Sequence, residues 1–247
     1  MALREEFERT GNWLFRWRSY LPLFLIGLFL VALTSFRYPV DSHGWDQAWE
    51  IFCLLLSFSG LVLRGYIVGC APRGTSGRNV KEQRAEVLNT TGIYSLVRHP
   101  LYLGNFLIWL GIILSVRLWW FIAVSILIFW LYYEKIMFAE EEFLRKKFGN
   151  SFLEWADKTP AFFPIKLNLW RKPELSFKFK NALRREYSGF FAIISAFTAL
   201  EVVEEQIVEG QFQLDLMWTI IFGVGLVTYL TLMFLKKKTK LLDVEGR

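Results

Sequence analysis

The chain has 247 residues, 54% of them hydrophobic, 18% aromatic and 21% charged, with a formal net charge of +6. Disorder, a collagen-like repeat and a disulfide-stapled scaffold are excluded, and 24 Phe with 11 Trp exceed what one soluble core of this size holds. Two cysteines, Cys53 and Cys70, and two histidines give neither a disulfide framework nor a paired ligand spacing, so no protein-built zinc or haem site is expected.

The apolar residues are gathered in blocks. Uncharged runs of 18 residues after Arg18, 13 after Glu50, 18 after Arg98, 16 after Arg117, 14 after Glu186 and 20 after Asp215 compare with the roughly 20 that cross a bilayer. They predict an all-α, polytopic membrane helix bundle of about six spans, read as a single domain. Residues 1 to 20 form an interfacial lead-in, with Trp13, Phe15, Trp17 and Tyr20 interleaved with Arg16 and Arg18. Three acidic residues and no apolar core before Arg18 argue against a signal peptide. Span one covers about 19 to 36, a turn follows around Pro39 to Gly44, and span two runs from about 46 to 69. The segment Cys70 to Arg78, rich in Gly, Pro and Arg, reads as a loop.

Residues 99 to 133 are apolar except at Ser115-Val116-Arg117, which predicts a tight helical hairpin with adjacent, antiparallel arms. Its second arm continues without a breaker into a charged helix that projects from the membrane and stops at Gly149-Asn150. Pro160, Pro164 and Pro173 then mark a segment lying along the membrane surface. A last hairpin, 186 to 235, ends in Lys236-Lys237-Lys238-Thr239-Lys240, a topology anchor.

With six crossings, 27 of the 29 Lys and Arg fall on one side; only Arg37 and Arg117 join the acidic residues opposite. The positive-inside bias makes both termini cytoplasmic, in the cell membrane if the source is bacterial. The +6 thus reads as topology, and no nucleic-acid partner is expected.

Two stretches carry chemistry. In Arg98-His99-Pro100-Leu101-Tyr102, Pro100 stands where a helix begins, and the free N–H groups there, with the Arg98 guanidinium, suit a carboxylate or phosphate. An interfacial anchor is the plainer alternative for Arg98. In Glu140-Glu141-Glu142, Glu141 has Arg145 and Glu142 has Lys146 four residues on, so both read as surface pairs. Glu140 is flanked by Ile136, Phe143 and Leu144. It therefore reads as a carboxylate on an apolar face in need of a buried partner or a bound cation.

Gly92-Ile93-Tyr94 followed by Arg98-His99-Pro100-Leu101-Tyr102-Leu103-Gly104, a helical hairpin, Glu140-Glu141-Glu142-Phe143-Leu144 and Phe148-Gly149, then Phe152, Trp155, Pro160 and Pro164, resembles the integral-membrane methyltransferases. That family is typified by isoprenylcysteine carboxyl methyltransferase and the bacterial phospholipid methyltransferases. The likeness covers roughly 75 to 165 and leaves the last hairpin outside. It implies S-adenosylmethionine in a cytoplasm-facing pocket, contacted by Glu86, Val87, Leu88, Asn89, Tyr94, His99, Pro100, Leu101 and Tyr102. Glu140 and Arg98 would stand at the reacting end, and a lipid or lipidated acceptor would enter from the bilayer.

Members acting on prenylcysteine carry a histidine where this chain has Glu86 and an arginine where it has Ile136. A phosphate- or amine-bearing lipid is accordingly favoured here, with lipid A phosphate and phosphatidylethanolamine as candidates. A sulfonium methyl donor needs alignment rather than a metal or covalent nucleophile, and aromatic faces can stabilise its charge. The rival readings are a prenylcysteine carboxyl methyltransferase, a nicotinamide-dependent steroid-type reductase and a non-catalytic membrane binding protein.

Overall fold

A computed structural model describes residues 2–18, 20, 24–34, 43–72, 83–208, 210 and 214–244. Among them the regular structure is helical, with two 3-10 turns and one antiparallel bridge between Gly92 and Arg171 in the connecting segments. The loop 73–80 and most of the turn at 39–44 lie outside the described residues, as do the ends of span one.

In chain order the helices are α1 (Leu3–Trp17), α2 (Phe24–Leu33), α3 (His43–Cys70), α4 (Pro100–Ser115), α5 (Trp119–Phe148), α6 (Asn150–Lys158), α7 (Phe179–Val208) and α8 (Leu216–Lys238). Four of them, α3, α5, α7 and α8, are long and apolar enough to cross a membrane. Their outward faces carry large apolar side chains such as Leu55, Val62, Leu127, Val224 and Val227, all mostly exposed. Water would not tolerate so wide an apolar surface, and lipid requires it. The protein is an integral, multi-pass membrane protein. With 16 residues, α4 rises about 24 Å, short of a bilayer core of roughly 30 Å, and α2 is described over only ten residues. Among the described residues the length criterion therefore gives four crossings where six uncharged blocks were read.

The predicted hairpin is α4 and α5, joined through Val116, Arg117 and Leu118, with Arg117 in the left-handed region (φ 59°). Its arms run antiparallel, since Tyr102 meets Tyr133 and Phe106 meets Phe129. Yet α4 lies closer to α3 than to α5, for a steric reason. Gly60 on α3 and Gly104 and Gly111 on α4 bring the two backbones together, so that a side chain on Gly111 would collide with the Cys53 carbonyl and the Ser57 hydroxyl. Ser57 donates across the seam to the Ile108 carbonyl at 2.8 Å. Between α4 and α5 the interface is aromatic, and rings hold helices further apart.

As predicted, α5 continues past the apolar block and ends at Gly149, whose φ of 54° favours glycine. The lead-in is more than an interfacial helix. α1 lies antiparallel along the projecting end of α5, with Gly11 against the Lys135 backbone and Phe7 edge-on to Phe138.

A tight seam predicts its own sensitivity. Gly111→Ala is expected to destabilise the protein by about 1–3 kcal/mol through overpacking, whereas Gly223→Ala, on a helix face with open space around it, should leave the midpoint unchanged or raised. Thermal unfolding of both variants in detergent checks this.

Candidate active site

His99 caps α4 and is 5% exposed. Its Nε2 lies 2.9 Å from Glu141 Oε1 and its Nδ1 3.5 Å from Glu140 Oε2. With a carboxylate facing each ring nitrogen, the imidazolium is the form that satisfies both. Burial alone would lower the His99 pKa, but the hydrogen bonds and charges of Glu140 and Glu141 outweigh it and raise the pKa above its ordinary value. Glu140 also accepts a 2.6 Å hydrogen bond from the Tyr102 hydroxyl, one turn into α4.

Arg98 donates from Nε to Glu141 at 2.8 Å and from Nη1 to the Ala156 and Thr159 carbonyls at 2.5 and 2.8 Å. The guanidinium expected to hold an anion is therefore committed to closing the loop after α6 onto α5. The helix N-terminus is similarly occupied. Pro100 has no N–H, Tyr102 and Leu103 donate to the His99 carbonyl, and the Arg98 and His99 amides donate to Pro160 and Ala161. The two amides just before the helix are thus taken up by the post-α6 segment.

The pairing expected within the acidic triplet is corrected too. Glu141, read as a surface partner of Arg145, is the shared partner of His99 and Arg98. Glu142, read as the partner of Lys146, is buried against Arg4 of α1 at 2.5 Å, with Arg145 at 3.6 Å, while Lys146 pairs with Glu8. Spacing along α5 could not reveal this, because the partners arrive from α1 and from the turn before α4. Glu140 has the buried partners its apolar flank called for, Tyr102 and His99.

Beside this centre lies a small cleft between α3 and the 89–94 loop, lined by Tyr66, Cys70, Asn89, Thr91, Tyr94 and Pro173 among others. Asn89 and Tyr94 thus line the cleft, and Pro100 and Tyr102 are buried beside the acidic centre. Leu88 and Leu101 are half-buried, and Glu86 and Val87 face outward. Trp155 donates to the Tyr94 carbonyl and pins the loop. The Tyr94 phenol is held above its usual pKa by burial and by the Glu140 charge, with Arg185 and Arg64 partly offsetting. Tyr94 thus feels Glu140, Arg64 and Arg185 at once. The amide, hydroxyl and aromatic groups that line the cleft are of the kind that suits an adenosyl group.

Four residues of the polar interior were missed. Arg64 on α3 makes a two-pronged ion pair with Glu186 on α7 at 2.9 and 3.0 Å and donates to the Asn105 carbonyl oxygen. Asn105 in turn donates to the Tyr133 hydroxyl at 3.1 Å. In the sequence Arg64 and Glu186 merely marked the edges of apolar blocks. The signal that could have found them is that charges inside a membrane bundle face inward and pair. At the opposite end of the bundle Glu50, Glu201 and Glu204 bring carboxylate oxygens within 4.8 Å of one another, with the Arg117 guanidinium 3.8 Å from Glu50. The sequence reading anticipates no such grouping.

The phospholipid methyltransferase family model matches residues 72–151. A cobalt-zinc-cadmium resistance protein of Cupriavidus metallidurans is 36% identical over 155 residues, 62% of this chain and 69% of that protein. A nickel-cobalt-cadmium resistance protein of Alcaligenes xylosoxydans is 31% identical over 155 residues, 62% and 70% of the two chains. Protein-S-isoprenylcysteine O-methyltransferase B of Arabidopsis thaliana is 31% identical over 128 residues, 49% and 64%. No solved structure matches.

The His99 centre predicts a pH response. A histidine whose pKa is raised on folding contributes stability that is complete below its ordinary value of 6.5 and is lost as pH rises through the folded value. The thermal midpoint in detergent should therefore fall as pH rises above about 6.5. Glu141→Gln, which removes one flanking carboxylate, should flatten that fall.

Proposed function

The chain belongs to the integral-membrane methyltransferase family that joins the phospholipid and isoprenylcysteine enzymes, and on that premise we propose that it methylates the head group of a membrane lipid or lipidated acceptor, with S-adenosylmethionine as donor, at the cytoplasmic face. One observation carries the reading: Glu140, gripped by Tyr102 and flanked by His99, sets a carboxylate of fixed orientation near the aromatic and amide cleft of Tyr66, Asn89, Thr91 and Tyr94.

S-adenosylmethionine supplies a methyl group already activated on a sulfonium, so transfer depends on alignment and charge rather than on a protein nucleophile. In that setting Asn89, Thr91 and Tyr94 hold the adenosyl portion. Glu140 stabilises the positive centre, and Tyr102 keeps its carboxylate from turning away. His99 and Arg98 are positioning residues: they neutralise Glu141 and fix the start of α4. An amine acceptor would also lose its proton to Glu140, whereas a phosphate or carboxylate needs no base.

On the six-crossing reading, 27 of 29 basic residues fall on one side, which supports a cytoplasmic location for the site. It equally favours an acceptor met among anionic head groups. Methylating a phosphate oxygen removes negative charge from the membrane surface and with it attraction for divalent cations. That links this chemistry to the metal-resistance names of two relatives. Ile136, where prenylcysteine enzymes of the family carry an arginine, is fully buried in the aromatic core, which supports a lipid phosphate or amine over a prenylcysteine carboxylate.

Purified protein incubated with methyl-labelled S-adenosylmethionine and a total lipid extract should yield a labelled lipid identifiable by mass spectrometry. Failure to bind S-adenosylmethionine would overturn the proposal, and binding of a nicotinamide cofactor would favour the reductase. Glu140→Gln should lower turnover by about 10- to 100-fold. Glu142→Gln should chiefly loosen α1 from α5 and lower the thermal midpoint.

A further inference from the structure

Tyr133 occupies an unusual place in the polar interior. Its ring is stacked on Phe129 at 4.2 Å and tilted against Tyr102 at 4.9 Å, so it cannot swing. The direction of its hydroxyl is set from outside. Arg64, clamped by both oxygens of Glu186, presents Nη1 to Asn105, which must turn its carbonyl oxygen toward that cation. The Asn105 amide NH2 then has one direction left, and it donates to the Tyr133 oxygen. A phenol that accepts one hydrogen bond still has a proton to give, and among the described residues no acceptor for it is present. A buried donor left unmatched costs stability, and phenylalanine would fill the same aromatic niche without that cost.

The position of this donor indicates its ligand. Tyr133 precedes Glu140 by seven residues on α5, about 10 Å along the helix, toward the apolar hairpin and away from the 83–99 segment. It adjoins the aromatic cluster of Phe106, Phe129, Phe162 and Trp130, the side from which an apolar molecule would approach. On the methyltransferase reading above, we propose that Tyr133 grips the acceptor, donating its hydroxyl proton to an anionic oxygen of the head group, and that Asn105, oriented by Arg64, is the positioning residue that aims it. No bond is made or broken in this step. The hydroxyl orients the head group on the bilayer side of Glu140 while the donor is held on the cytoplasmic side.

The anionic oxygen can belong to a lipid phosphate or to the carboxylate of a prenylated cysteine, and two soluble probes separate them: dioctanoyl-phosphatidate and N-acetyl-S-farnesylcysteine. Isothermal titration of the detergent-purified full chain with each probe, and separately with S-adenosylmethionine, is the measurement. At least one probe should bind the unaltered protein, and the one that binds identifies the source. Tyr133→Phe should weaken that probe by about tenfold and leave S-adenosylmethionine affinity within about twofold. Asn105→Leu should weaken the same probe in the parent chain but add little in a Tyr133→Phe background, a non-additivity that a general loss of packing would not give.

The proposal is overturned if S-adenosylmethionine binds and neither probe does, or if Tyr133→Phe leaves probe affinity unchanged. It is equally overturned if the two substitutions act additively, or if cofactor and probe weaken together. If the parent chain does not bind S-adenosylmethionine, the methyltransferase reading itself fails, whatever the probes do.

Discussion

The architecture of the end of the bundle that carries the site hangs on one imidazole held between two carboxylates. Glu140 and Glu141 are neighbours on α5, and two adjacent partly buried carboxylates would repel each other and pay heavily for lost hydration. Their side chains diverge by about 100° around the helix, so one histidine reaches both only by using its two nitrogens in opposite directions, as His99 does. Arg98 then supplies a second cation to Glu141. The charges nearly cancel at the point where α4 begins, and Pro100 fixes the helix start there. Because the Arg98 and His99 amides also bind the Pro160 and Ala161 carbonyls, the same residues hold the post-α6 segment over the site.

The sequence disclosed what periodicity and composition can carry. Uncharged blocks located α3, α5, α7 and α8, and Gly149 marked the end of the projecting helix because no other residue adopts its backbone as readily. His99, Tyr102 and Glu140 were legible as a group only through a family resemblance; nothing local in the sequence says that residues 99 and 140 touch. The helix-face argument succeeded for Glu140, whose surroundings on its own helix are apolar. It failed for Glu141 and Glu142, whose partners Arg98, His99 and Arg4 belong to other elements. Reading i to i+4 pairs presumes that solvent covers the helix, and here α1 and the loop before α4 cover it.

Arg64, Asn105 and Glu186 illustrate a second limit. A charge that interrupts an apolar run can mark the membrane boundary or face inward, and the two are identical in one dimension. Only the tertiary contact of α3 with α7 distinguishes them. That contact gives the C-terminal hairpin, which lies outside the family match of residues 72–151, a direct connection to the polar interior within that match: Glu186 holds Arg64, Arg64 holds Asn105, and Asn105 bonds Tyr133. The hairpin is therefore part of the frame on which the site is built.

The two ends of the bundle then differ in kind. At the far end Glu50, Glu201 and Glu204 crowd together beside Arg117. At the end that carries the site Arg4, Arg64, Arg98 and His99 meet Glu142, Glu186, Glu141 and Glu140 nearly one for one. Matched pairing of that kind keeps polar groups in a low-dielectric setting without net charge, and a site so balanced responds strongly to any charge brought into it. A sulfonium with an anionic head group would enter as a further matched pair, its cation toward Glu140 and its anion toward the side where the aromatic cluster begins. The geometry that neutralises the empty interior is thus also the one that would sort the two substrates by charge.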